Sequence, residues 1–221
     1  MHLETINPLT IAYSERHTSP EGPILADLSR HTFANVMQPR MLSGHIQGRF
    51  LAMIAQLMQP KRILEIGTYV GYSALCLAEG LGPDGIIHTI DINEELEHIM
   101  RKYWAAAGKQ GQIKFHHGPA AEIIPNLHAT EPSQQWDLVF IDADKPSYGL
   151  YYDLVIDHVR PGGIILSDNV LWNGKVAEPQ NHTKDRDLPH ILAYNQKLLD
   201  DPRTENILLP IRDGIMVSRK L

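Results

Sequence analysis

The chain has 221 residues, a formal net charge of −6 and a pI near 6.0. This length supports one substantial core, so we predict a single domain in which a mainly helical extension, 1–58, packs on a sheet core, 59–221. The acidic balance provides no general attraction to phosphate backbones or anionic lipids, and neither nucleic acid nor a membrane is expected as a partner.

The number of cysteines and the length of the apolar runs indicate the cellular compartment of the protein. Cys76 is the single cysteine, so an internal disulfide is excluded. The first 30 residues have no basic start followed by a long apolar stretch, and no uninterrupted apolar run approaches the ~20 residues that cross a bilayer. We therefore expect a soluble protein in the reducing cytoplasm.

The first elements alternate between helix and strand. Residues 5–22 are polar and turn-rich, whereas 24–58 carry apolar residues at mixed helical spacing, so helices are expected before the sheet. The runs 62–66 and 86–90 are typical of strands, and a helix from about 71 to 80 separates them. These segments predict a βαβ unit.

The alternation continues to the end of the chain. We predict helices at 94–108, at about 120–127 with an interruption at Pro125, at about 147–159 and near 186–200. Further strands are predicted at 113–117, 137–142 and 163–168, and 205–211 with 214–220 has the form of a closing hairpin. The predicted fold class is α/β, a doubly wound and mostly parallel sheet with helices on both faces and an antiparallel C-terminal hairpin.

A glycine loop after the first strand indicates the cofactor class. Gly67 and Gly71 lack the GxGxxG spacing of dinucleotide sites, so a phosphate-bearing cofactor is disfavoured. Asp91 ends the next strand, where a carboxylate can accept both hydroxyls of a ribose. Ser73 begins a helix whose N-terminus suits a carboxylate, and Glu65 adds negative charge opposite. A packing turn without a ligand is the alternative.

Oxygen-bearing side chains follow two later strands. Asp142 and Asp168 end adjacent predicted strands, and Asn169 is next to the second, so three oxygen atoms can meet at one edge of the sheet. Such a set favours Mg²⁺, Mn²⁺ or Ca²⁺. The alternative is that Asp168 and Asn169 only begin a loop.

Five motifs, taken in their order along the chain, resemble those of the S-adenosylmethionine-dependent O-methyltransferases of the caffeoyl-CoA and catechol type. They are LEIGTYVGYS, TIDINEEL, VFIDADK, SDNVLWNGKV and LLPIRDGI. The resemblance covers roughly 30–221, and the DADK sequence is similar to the plant and bacterial branch. It implies a Rossmann-like methyltransferase domain.

The resemblance also implies the site. S-adenosylmethionine would be bound by residues from several loops: Met41, Ser43, Glu65, Gly67, Ser73, Asp91, Ala120 and Asp142. A divalent cation would be bound by Asp142, Asp168 and Asn169. Many relatives are dimers, so a homodimer is expected.

Lys145 is the candidate general base. A lysine is normally protonated at neutral pH, with a pKa near ~10.4, and a neighbouring cation favours its neutral form. The hypothesis is that Lys145 takes a proton from a vicinal dihydroxy aromatic acceptor, whose oxygen then attacks the methyl group. Asp144 and Trp172 are candidate substrate contacts, Trp172 as a wall for a flat ring.

Two other functions are consistent with parts of the pattern. A nicotinamide oxidoreductase would use the same sheet but predicts the GxGxxG spacing that is missing. An adenosine-binding module without catalytic activity predicts cofactor binding without methyl transfer. The acceptor itself is left open, because the polar rim at 173–187 indicates no specific partner.

Overall fold

The computed structural model describes residues 8–221. Its helices are α1 (Pro8–Arg16), α2 (Pro23–Asn35), α3 (Gly44–Met58), α4 (Tyr72–Ala78), α5 (Glu97–Ala106), α6 (Ala120–Thr130), α7 (Tyr148–Ile156) and α8 (Leu188–Asp200). The strands are β1 (Arg62–Ile66), β2 (Ile86–Asp91), β3 (Ile113–His117), β4 (Trp136–Ile141), β5 (Val159–Asp168), β6 (Thr204–Leu209) and β7 (Ile215–Lys220).

The strands form one sheet in the order β3-β2-β1-β4-β5-β7-β6. Strands β1 to β5 are parallel, and β7 lies antiparallel between β5 and β6. This arrangement confirms the predicted fold class, including the antiparallel hairpin at the end. The order reverses between β1 and β4, and in such sheets the crevice at the carboxyl ends of the strands on either side of this point binds ligands.

Two hydrophobic clusters cover the faces of the sheet. Along β1, Ile63 belongs to the cluster under α2 to α5, whereas Leu64 belongs to the cluster under α6 to α8. Neighbouring side chains of a strand point to opposite faces, so a strand buried on both sides is apolar at nearly every position. The core therefore fixes the register that brings the polar strand ends together.

Two local predictions need correction. The segment 5–22 was expected to be turn-rich, but α1 occupies Pro8–Arg16; positions 5–7 lie outside the described residues. Pro125 was expected to interrupt its helix, yet α6 continues through it to Thr130. A proline removes one backbone donor, and neighbouring turns with buried Ile124 maintain the helix.

Within residues 8–221, no helix combines the length and the apolar character that crossing a membrane requires.

Candidate active site

A cavity of about 850 Å³ lies at the carboxyl ends of β1, β2, β4 and β5. Almost all of the predicted site residues line it: Met41, Ser43, Gly67, Ser73, Asp91, Ala120, Asp142, Asp144, Lys145, Asp168, Asn169 and Trp172. Glu65 is the exception, since its side chain is fully buried and does not reach the wall. The fold thus brings together side chains that are up to 131 positions apart in the chain (Met41 and Trp172).

The glycine loop is required by packing. Gly67 has a φ of 99°, and a Cβ at this position would lie 1.9 Å from the carbonyl oxygen of Asp142. Gly71 has a φ of 77°, and its Cβ would lie 2.5 Å from the indole nitrogen of Trp104. Only glycine fits both the left-handed conformation and the space. The loop can therefore pass directly against the residue that follows β4.

Asp91 holds this loop in place. Its Oδ2 accepts hydrogen bonds of 2.8 Å from the backbone N–H groups of Thr68 and Tyr69, and its Oδ1 accepts one of 2.9 Å from Asn93. Each carboxylate oxygen accepts about two hydrogen bonds, so Oδ1 has one lone pair left. Oδ1 can therefore accept a further hydrogen bond from a ribose hydroxyl, and the binding of the ribose by Asp91 stays a prediction.

Glu65 places a buried carboxyl group behind the cavity. Burial raises its pKa to about 8, while hydrogen bonds from Ser73 and Thr89 act in the opposite direction. Thr89 donates to Oε2 at 2.5 Å, and Oε1 has no hydrogen-bond partner within the described part of the chain. A cationic group in the adjoining cavity would favour the ionised carboxylate. The sulfonium and ammonium groups of S-adenosylmethionine fit this environment.

Two carboxylates and one amide form the candidate cation site. Asp168 is buried, and burial together with repulsion from Asp142 raises the pKa of its carboxyl above the usual range. Nζ of Lys145 lies 3.3 Å from Oδ1 of Asp142 and 2.8 Å from Oδ1 of Asn169, so both oxygens face one cationic group. Mutually repelling carboxylates beside an amide oxygen are a donor set that fits a hard divalent cation.

The candidate cation site contains only two carboxylates, Asp142 and Asp168. Among residues 8–221 there is no group of three or more His, Cys, Asp or Glu side chains arranged to hold a metal ion. The predicted set contains two such residues and one asparagine. A cation at this site would therefore complete its coordination with water or with substrate oxygen atoms.

Lys145 is held in a buried position. Its Nζ donates to the hydroxyl of Tyr148 at 2.6 Å, and that hydroxyl donates to the carbonyl oxygen of Asp168 at 3.0 Å. Burial keeps the pKa of Tyr148 well above its usual range, so this phenol remains neutral. Tyr148 therefore holds the amine of Lys145 beside the strand ends without a charge of its own.

Trp172 forms a wall of the cavity in a strained turn. Its φ is 49°, and the next residue, Asn173, has a φ of 55°. The indole N–H lies 3.1 Å and 3.0 Å from the two carboxylate oxygens of Asp185, and Nζ of Lys175 lies 2.5 Å from Oδ2 of the same residue. These contacts fix the ring in the wall.

Asp144 also lines the cavity, but its carboxylate already has partners. It accepts hydrogen bonds from the hydroxyls of Ser147 at 2.5 Å and Tyr151 at 2.6 Å. Asp144 thus connects the DADK turn to α7.

Residues that the sequence analysis did not identify complete the site: Gln47, Tyr69, Tyr148, Asp185 and Arg212. Tyr69 and Arg212 lie within the quoted motifs, so those motifs were a usable signal for both. Gln47, Tyr148 and Asp185 act through contacts that only the folded chain creates, and no spacing rule indicates them.

A sheet of this order, with a glycine loop and an acidic residue at successive strand ends around one cleft, is typical of Rossmann-like folds, and the similar solved structures are methyltransferases of this class. The model of the family described as O-methyltransferase matches residues 15–221. The chain belongs to this family, and the predicted family and enzyme class, an S-adenosylmethionine-dependent O-methyltransferase, are confirmed.

Similar proteins extend over nearly the whole chain. A probable caffeoyl-CoA O-methyltransferase 2 from Dictyostelium discoideum is 34% identical over 215 residues, 97% of this chain and 93% of the relative. Caffeoyl-CoA O-methyltransferase 1 from Arabidopsis thaliana is 37% identical over 82% of this chain and 72% of its own length. The structure of the O-methyltransferase TomG from Streptomyces achromogenes, solved in complex with SAM, has a TM-score of 0.84 at 28% identity and covers 100% of this chain and 99% of its own.

Proposed function

We propose that the protein transfers a methyl group from S-adenosylmethionine to one hydroxyl of a small vicinal dihydroxy aromatic molecule, with a divalent cation in the site. One observation carries the proposal: Asp142, Asp168, Asn169 and Lys145 meet at the ends of β4 and β5, beside the ring of Trp172. The set combines oxygen ligands, a base and an aromatic wall in a single cleft.

The cofactor assignment is supported by the fit of the cleft and by a relative. TomG was solved in complex with SAM. In this chain, Asp91 keeps one lone pair for a ribose hydroxyl and Ala120 lines the wall beyond it. The buried carboxyl of Glu65, near Ser73, would be ionised by a cationic group of the ligand. When bound, S-adenosylmethionine supplies an electrophilic methyl group on sulfur.

The cation assignment rests on the oxygen ligands. Asp142, Asp168 and Asn169 would hold Mg²⁺, Mn²⁺ or Ca²⁺, and such an ion stabilises negative charge that develops on oxygen. Two adjacent hydroxyls form a chelate that a single hydroxyl does not, so the proposed acceptor class is catechol-like. The cation also favours the neutral form of a neighbouring amine.

Lys145 performs the proton transfer in this proposal. Its neutral amine accepts the proton of one acceptor hydroxyl, and the resulting oxygen forms a bond to the methyl carbon while the bond from that carbon to sulfur breaks. The products are S-adenosylhomocysteine and a monomethyl ether, with the proton on Lys145. Trp172 orients the ring during this step, since Asp185 fixes its indole.

Matched acceptors test this function. Purified protein is incubated with S-adenosylmethionine, Mg²⁺ and either 3,4-dihydroxybenzoate or 3-hydroxybenzoate, with caffeate and caffeoyl-CoA in parallel, and S-adenosylhomocysteine is followed by mass spectrometry. We expect product from the dihydroxy compounds and at least ~100-fold less from the monohydroxy control. Equal rates with both benzoates would contradict the catechol proposal, and cofactor binding without any product would favour a binding module.

A further inference from the structure

Gln47 joins the N-terminal helices to the proposed cation site. It lies on α3, its side chain is fully buried, and its Nε2 donates a hydrogen bond of 2.7 Å to Oδ2 of Asp168, which is 121 positions later in the chain. The other oxygen of Asp168 accepts a bond of 2.8 Å from the backbone N–H of Asn169. Both oxygens of this carboxylate are thus oriented by donors, and each keeps a lone pair.

Arg212 determines which way the amide of Gln47 points. Its Nη1 lies 3.2 Å from Oε1 of Gln47 and 3.0 Å from the carbonyl oxygen of Leu42. A guanidinium group only donates hydrogen bonds, so the amide oxygen must face Arg212 and the amide nitrogen must face Asp168. With the amide reversed, an oxygen would face the carboxylate of Asp168 and the contact would be repulsive.

The backbone at Arg212 is strained in this arrangement. Its φ is 51°, in the left-handed region that favours glycine, and it lies in the turn between β6 and β7. When a residue other than glycine occupies such a position, contacts of its side chain commonly offset the cost of the strained backbone. Here the side chain connects this turn to α3 across the edge of the cleft.

We propose that Gln47 and Arg212 are positioning residues that hold Asp168 in the orientation in which it binds the divalent cation. The inference rests on the proposed function, because it requires a cation at Asp168. Neither residue is a ligand in this proposal: Gln47 contacts the ligand, and Arg212 contacts Gln47. Residues that orient metal ligands commonly change metal affinity by about 10- to 100-fold when they are replaced.

The variant Arg212→Gly separates positioning from folding. Glycine relieves the left-handed backbone, which offsets part of the stability lost with the guanidinium contacts, and we expect Mn²⁺ affinity to fall by roughly 10-fold or more in a protein that still folds. A purely structural role for Arg212 would lower the melting temperature and leave Mn²⁺ affinity unchanged. Affinities for Mn²⁺ and for S-adenosylmethionine are measured by calorimetric titration, and the latter should stay within about twofold.

Two further variants serve as a control and as a second test. Gln59 is also left-handed, with a φ of 47°, but it caps α3 and does not line the cavity, so Gln59→Gly should leave Mn²⁺ affinity unchanged. Gln47→Met keeps approximately the volume of the side chain and removes its donor, so Mn²⁺ affinity should fall as in Arg212→Gly. Because it changes a different residue, this variant gives a result even if Arg212→Gly fails to fold.

The outcomes are distinct. Weaker Mn²⁺ binding in both variants, with an unchanged control, supports the inference. Wild-type affinity in Gln47→Met and Arg212→Gly overturns it and leaves the proposed function intact. No Mn²⁺ binding by the wild-type protein overturns the cation site itself, and with it this inference.

Discussion

Nζ of Lys145 lies 2.8 Å from Oδ1 of Asn169, so the proposed base touches a proposed ligand of the cation. The two residues come from the turns that follow β4 and β5, which are parallel neighbours in the sheet. Strand pairing therefore fixes their distance, and neither depends on a flexible loop for its position. In this arrangement a proton can be removed where negative charge on the acceptor oxygen is stabilised.

The first prediction concerns Lys145. Lys145→Ala should lower kcat by at least ~100-fold, because it removes the proton acceptor, while the dissociation constant for S-adenosylmethionine stays within about threefold. Lys145→Arg is the matched control for charge, since a guanidinium group is cationic but does not accept a proton. It should be as inactive as the alanine variant in a steady-state assay. Full turnover by the arginine variant would exclude Lys145 as the base.

Tyr69 is expected to affect cofactor retention. Its hydroxyl lies 3.1 Å from the carbonyl oxygen of Met37 and 3.3 Å from that of Gln38, and Gln38 lines the cavity. Tyr69→Phe removes this connection between the glycine loop and the segment that closes the cleft. We expect the dissociation constant for S-adenosylmethionine to rise about 3- to 10-fold in calorimetric titration.

The control for this variant lies outside the cleft. Tyr13 is on α1 and is exposed, so Tyr13→Phe should bind the cofactor as the wild-type protein does. Equal affinities of all three proteins would show that the hydroxyl of Tyr69 has no role in cofactor binding.

Asp185 should determine acceptor affinity through Trp172. Asp185→Ala frees the indole ring and removes the partner of Lys175, so KM for the acceptor should rise about tenfold, with KM for S-adenosylmethionine unchanged. Asp185→Asn keeps one acceptor oxygen for the indole N–H and should lie between the alanine variant and the wild type. An equal rise in both KM values would indicate general disruption of the cleft instead.

The sequence predicted the residues at the strand ends better than it predicted contacts between distant parts of the chain. Gly67, Asp91, Asp142 and Asp168 line one cavity because each follows an apolar run, and a parallel sheet collects such ends at one edge. Their binding roles stay predictions. Gln47 was not found, since its role arises from a contact 121 residues away that no local pattern encodes. Local sequence patterns identify the residues at strand ends, but they do not indicate which helix packs over those ends.

Contacts that involve backbone atoms were also not predictable from the sequence. The sequence identified Gly67 as part of a ligand loop, whereas its close approach to the carbonyl oxygen of Asp142 is visible only in the structure. The hydrogen bonds that Asp91 accepts from the amides of Thr68 and Tyr69 are likewise visible only in the structure. Backbone donors cannot be assigned from residue types alone.

Acid should destabilise the protein through His88. This histidine is buried, its Nδ1 lies 3.0 Å from Nε2 of His116, and burial followed by repulsion from His116 and Arg62 lowers its pKa to about 4. The unfolded chain has a histidine pKa near ~6.5, so the unfolded state binds the proton more readily. Stability is therefore lost as the pH falls below about 6.5, and the loss is complete near 4.

The expected loss between pH 7 and pH 5 is about 1 to 2 kcal/mol from His88. It is measured as the free energy of unfolding in urea at both pH values. His88→Leu removes this titration and should reduce the difference between them, whereas the exposed His190→Gln should not. The same pH dependence in His88→Leu and in the wild type would rule out His88 as the source.

The central claim is that methyl transfer requires a divalent cation held by Asp142, Asp168 and Asn169. The most direct measurement treats the wild-type protein with EDTA, removes the chelator, and follows S-adenosylhomocysteine from 3,4-dihydroxybenzoate before and after Mg²⁺ or Mn²⁺ is added back. We predict that activity falls to background in EDTA, returns with either ion, and does not return in Asp168→Ala. Full activity in EDTA would contradict the account.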